Sequence, residues 1–77
     1  MNIKELRKIT STDKFTEMPL STQALYFHLA VNADENDFIC NPKAIQRAVN
    51  SGLEDLGMLR NSDYIINNDD YGITLNN

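Results

Sequence analysis

A chain of 77 residues, 42% of them hydrophobic, has room for one domain with one modest core. Its single cysteine, Cys40, rules out an internal disulfide and suits a reducing cytoplasmic setting, and no apolar run reaches the ~18 residues of a membrane span. The net charge of -4 argues against a surface that is basic throughout, so any nucleic-acid binding must rest on a local basic face.

Residues 1–12 form a charged lead-in. Lys4, Arg7 and Lys8 outnumber Glu5, and no apolar stretch comes after them that would make the segment a signal peptide. It reads as a mobile or helical lead-in whose charges favour solubility, with a basic arm as the alternative. Asp13 is expected to cap a short helical turn through Phe15 and Met18, closed by Pro19. Ser21 is expected to cap a helix over 22–33. On its wheel Ala24, Leu25, Phe27, His28, Leu29 and Val31 form a broad inward face, with Thr22, Gln23, Tyr26, Ala30 and Ala33 opposite. So apolar a helix is expected to be deeply buried, with His28 in the core.

Asp34-Glu35-Asn36-Asp37 breaks that helix. It lacks the oxygen ligand and glycine that a calcium loop needs at its fifth and sixth positions, where Phe38 and Ile39 stand. Phe38-Ile39-Cys40 reads as a short strand, with Cys40 a small core residue. Asn41-Pro42 is a strong helix start, and the helix should run to about Val49 with Ile45, Ala48 and Val49 inward. Lys43, Gln46, Arg47 and Asn50 then lie on its outer face. Ser51-Gly52-Leu53-Glu54 matches a capping box and opens a helix to about Arg60, with Leu53, Leu56 and Leu59 as core. Residues 41–60 thus make a helix-turn-helix with its tight turn at Asn50. Residues 63–75 make a hairpin: strands at Tyr64–Asn67 and Gly72–Leu75 flank Asn68-Asp69-Asp70-Tyr71. The expected class is α+β, mainly α: a winged helix-turn-helix ordered helix, short strand, helix, helix, hairpin.

The run Ser21 to Leu29, preceded by Asp13, Phe15, Met18 and Pro19, resembles the opening of the winged-helix domain in replisome-organiser proteins. These are replication-initiation proteins of phages and mobile elements of Gram-positive bacteria, related to the DnaD-like group. Asn32-Ala33-Asp34, Phe38, Asn41-Pro42-Lys43 and Ile45 extend the likeness, which spans about Ile9 to Ile66. It implies a winged-helix fold and a role in DNA replication, with DNA and replication proteins as partners. The chain departs from the family in two places. Asp37 stands where the family usually has glycine, and the helix from Ser51 carries Glu54, Asp55 and Gly57, with Arg60 its one cation, where relatives often carry lysines. Relatives also continue into further domains, so the chain is either a fragment or a naturally short member.

In a helix-turn-helix the second of the paired helices presents its N-terminal residues to the major groove. Here those are Ser51, Gly52, Glu54 and Asp55, the two carboxylates being repulsive beside phosphate. Lys43 and Arg47, one turn apart on the first of the two helices, are expected to hold phosphates, with Gln46 and Asn50 adding hydrogen bonds, so that the expected DNA-contacting set is Lys43, Gln46, Arg47, Asn50, Ser51 and Arg60. Asp69 and Asp70 make the wing tip a poor phosphate ligand. A protein-interaction or dimerisation module of the same fold is the alternative, using Tyr26 and Tyr71 as exposed aromatic anchors and burying the Lys43/Arg47 face. No catalytic residues, metal site or cofactor are expected, since the chain has no phosphate loop, nucleophile elbow or HExxH motif.

Overall fold

The computed structural model describes residues 1–68 and 72–76; the expected wing tip with Asp69, Asp70 and Tyr71 lies outside them. In chain order the described elements are α1 (Ile3–Thr10), α2 (Asp13–Thr16), α3 (Leu20–Asn32), β1 (Phe38–Ile39), α4 (Pro42–Ala48), α5 (Glu54–Asn61), β2 (Ile65–Asn67) and β3 (Ile73–Leu75). The strands form an antiparallel sheet ordered β1-β3-β2. This is the expected α+β, mainly helical architecture, with a winged-helix-like topology. No helix among the described residues is long and apolar enough to cross a membrane.

The lead-in is helical. Asn2 caps α1 by accepting the Glu5 amide at 2.9 Å, and its own side-chain amide donates to Glu5 Oε1 at 3.1 Å. Two polar groups are thereby satisfied at once, and Leu6 and Ile9 pack on the core. Helix α2 is capped by Thr12 rather than Asp13: the Thr12 hydroxyl accepts the Phe15 amide at 3.2 Å.

Helix α3 begins one residue before its expected cap and buries a different side from the one expected. Thr22, Leu25, Tyr26 and Leu29 face inward, while Ala24, His28 and Val31 are exposed and Phe27 is 40% exposed. Both sides of the helix are apolar, so hydrophobicity alone cannot choose between them. The choice falls to specific partners. Tyr26 stacks edge-on against Phe15 and Tyr64, with ring centroids 5.4 and 5.7 Å away. Such aromatic pairs are worth about 0.5–1.5 kcal/mol each beyond the area they bury. Thr22 finds a hydrogen-bond acceptor on α5. Tyr26 is therefore a core residue and not a surface anchor, and His28 lies outside the core.

The loop after α3 is closed by Asp34, whose carboxylate accepts the Asn36 and Phe38 amides at 2.8 and 3.0 Å. Asp37 then adopts φ 60°, the left-handed conformation that glycine reaches at least cost. Asp is among the few other residues that tolerate it. Cys40, just past β1, is exposed rather than buried.

In the sheet, Ile39 pairs with Ile73 and Ile65 with Leu75. These four side chains are buried with Leu25, Leu29 and Leu59 in the common core. Gly72 lies tightly under β1: a Cβ there would stand 2.5 Å from Phe38 Cζ and 2.8 Å from the Ile39 carbonyl oxygen. Only glycine allows this approach of the hairpin to its third strand.

Candidate nucleic-acid interface

Pro42 occupies the first turn of α4, where its missing N–H costs nothing, and Asn41 precedes it without a side-chain cap bond. The helix ends at Val49. Asn50 turns the chain with φ 59°, its amide bound to the Arg47 carbonyl at 3.1 Å. The tight turn thus falls at the expected residue. The segment after it is not held by the expected capping box. Helix α5 starts at Glu54, Leu53 is 88% exposed rather than buried, and Ala48 is exposed as well.

The turn is fixed by Asp55, one residue after the expected glutamate. Its carboxylate is 2% exposed. Oδ1 accepts the Thr22 hydroxyl at 2.7 Å and the Ser21 hydroxyl at 3.1 Å, and Oδ2 accepts the Gly52 amide at 2.9 Å. From the other side, the Gln46 side-chain amide donates to the Gly52 carbonyl at 2.6 Å. Both backbone groups of Gly52 are thus gripped, and α3, α4 and α5 are locked in one mutual arrangement. A carboxylate that accepts three hydrogen bonds in the first turn of a helix also opposes the positive end of the helix dipole.

This clamp changes the roles of several residues. Gln46 is buried at 5% exposure and spends its amide on Gly52, so it does not belong to an outer face. Ser51 is half-buried, and its hydroxyl oxygen is enclosed without a hydrogen-bond partner, so it does not cap α5 or project outward. Asp55 faces inward, which removes one of the two carboxylates expected beside a DNA groove. Glu54 is exposed and folds back over Gly52.

Lys43, Arg47, Asn50 and Arg60 are exposed. Lys43 and Arg47 lie one turn apart on α4. No carboxylate among the described residues forms an ion pair with Lys43, Arg47 or Arg60. A cleft of about 400 Å³ brings Lys43 and Arg60 together, with Asn67 and Asn68 on its wall and Leu56, Ile65 and Ile73 beneath. A second hollow of about 350 Å³ joins Lys43 to Arg47 and Asn41. Lys43 lines both, so the three cations occupy one continuous edge running from α4 to the C-terminal part of α5. Asn67 was not foreseen there; its sequence context marks it only as a strand end. Asn68 donates its amide to Thr74 Oγ1 at 2.8 Å and so acts within the hairpin. No group of three His, Cys, Asp or Glu side chains among the described residues is placed to hold a metal ion.

No protein-family model, curated protein or solved structure matches this chain.

Proposed function

We propose that the chain is a non-catalytic DNA-binding module built on the winged-helix-like fold, working in the replication-initiation context that the resemblance implies. The observation that carries this reading is the exposed cationic edge of Lys43, Arg47 and Arg60, free of carboxylate partners among the described residues in a chain whose net charge is -4. Paired cations in so acidic a chain would need no special reading. Exposed cations with no carboxylate partner among the described residues suit phosphate oxygens, with Asn50 and Asn67 able to add neutral hydrogen bonds. The inward turn of Asp55 supports the reading, because it removes a charge that would oppose phosphate.

Three cations neutralise few phosphates. Affinity is therefore weak for one copy and falls as salt rises, with roughly 0.9 of log-log slope for each contact on duplex DNA. Fluorescence-anisotropy titration of a mixed-sequence duplex, from low to physiological salt, tests this. Salt-sensitive binding is the expected result, and a flat titration at the lowest salt would refute it.

A further inference from the structure

The outer side of α3 is a second apolar stripe. Leu20, Ala24, Phe27 and Val31 recur at spacings of four, three and four, which aligns them on one side of the helix. At ~100° per residue this stripe is centred about 180° from the buried side formed by Thr22, Leu25, Tyr26 and Leu29. Leu20 is 82% exposed, Val31 79% and Phe27 40%. Phe27 is held from below, its ring edge-on to Phe15 at 5.8 Å, so it presents a fixed outer surface. Val31 shares a hollow with Ile3 of α1, itself 72% exposed, which widens the patch at that end. Between the polar flanks of Ser21, His28 and Asn32 on one hand and Gln23 on the other, α3 thus has two apolar sides, and the described residues cover one of them.

We propose that a second copy of the chain covers the other side, with the two α3 helices packed antiparallel about a two-fold axis. Three features select this partner. The first is charge: none of the 13 residues of α3 is Asp, Glu, Lys or Arg, so two chains of net charge -4 can meet here without setting carboxylates or ammonium groups against each other. The second is shape. Antiparallel pairing sets Leu20 against Val31 of the other copy and the large Phe27 against the small Ala24, so the stripe is complementary to itself, as a two-fold contact requires. The third is area. The stripe with Ile3 offers roughly 450 Å² per copy, so a dimer buries about 900 Å², the range of weak, reversible interfaces. The dimer is therefore concentration-dependent. Because α3 meets α4 and α5 with its opposite side, both cationic edges stay uncovered.

Sedimentation velocity of the 77-residue chain, from low micromolar to near-millimolar concentration and without nucleic acid, tests the dimer independently of the DNA reading. A monomer-to-dimer shift is expected. Val31→Glu, at an exposed position that leaves the fold intact by circular dichroism, should raise the dissociation constant at least about tenfold by burying an unpaired charge. Adding Leu20→Lys should recover most of that loss, because the new ammonium would meet the new carboxylate only across the antiparallel seam. A monomer at every concentration overturns the proposal. So does a dimer indifferent to Val31→Glu, or a double variant no better than the single one.

Discussion

The turn between α4 and α5 and the outer edge of α4 lie within a few residues of each other, yet they use their polar groups in opposite ways. In the turn nearly everything is consumed internally: Asp55, Gln46, Ser21 and Thr22 bind one another or Gly52. On the edge, Lys43 and Arg47 have no carboxylate partner among the described residues. One region is specialised for holding three helices in place, the other for meeting something outside. Residue type does not separate them, since a glutamine and an aspartate that look like surface groups are both buried. The separation should show in mutants: changes in the turn cost stability, and changes on the edge cost binding alone.

The largest effect is expected at Asp55. Asp55→Ala leaves the Thr22 hydroxyl and the Gly52 amide without their acceptor in a dry site, at about 1–3 kcal/mol for each such group. For a domain of this size, with total stability of about 4–12 kcal/mol, that is a large share. Urea denaturation should show a much lower midpoint. A midpoint within experimental error of the parent would mean that the clamp does not hold the helices together. Gly72→Ala comes next, at about 1–3 kcal/mol of overpacking where the Ile39 carbonyl oxygen cannot yield. It too is read from the urea midpoint.

Tyr26 extends the contrast to the core. Its hydroxyl is buried without a hydrogen-bond partner, and burial, helped by the nearby Asp37 charge, pushes the phenol up to about 12. The neutral phenol is therefore the form the fold accepts. Its contribution is complete below the ordinary value near 10 and disappears as pH rises through about 12. Tyr26→Phe should raise stability by about 1 kcal/mol, because it deletes an unsatisfied polar atom. It should also flatten the loss of urea resistance between those two pH values. Smallest is Gly57→Ala within α5, where a new Cβ would sit 3.7 Å from the Arg60 guanidinium in ordinary contact. Helix propensity alone should add about 0.8–1 kcal/mol, visible as a small rise in thermal midpoint with DNA binding unchanged.

The parts legible in the sequence are those set by local chemistry. Pro42 at the start of α4, the turn at Asn50, and the strand ending at Leu75 all rest on near neighbours, and all three appear in the structure. The parts that sequence reasoning missed depend on distant partners. Thr22 lies inward because Asp55, 33 residues away, accepts its hydroxyl. Tyr26 lies inward because Phe15 and Tyr64 surround its ring. With apolar residues on both sides of α3, periodicity identifies a helix without identifying its buried side. The candidate interface follows the same division. Lys43, Arg47 and Asn50 are exposed as their expected outer helix face predicts, and Arg60 is exposed as well, while Gln46 and Ser51 are drawn into the turn by Gly52 and its surroundings.

The decisive experiment is the salt dependence of duplex DNA binding for the parent chain and for Lys43→Ala combined with Arg47→Ala. Removing two phosphate contacts should lower the slope of log affinity against log salt by roughly 1.8 and weaken binding to all sequences alike, with the urea midpoint unchanged. An unchanged slope in a folded double variant would mean that this edge does not meet DNA.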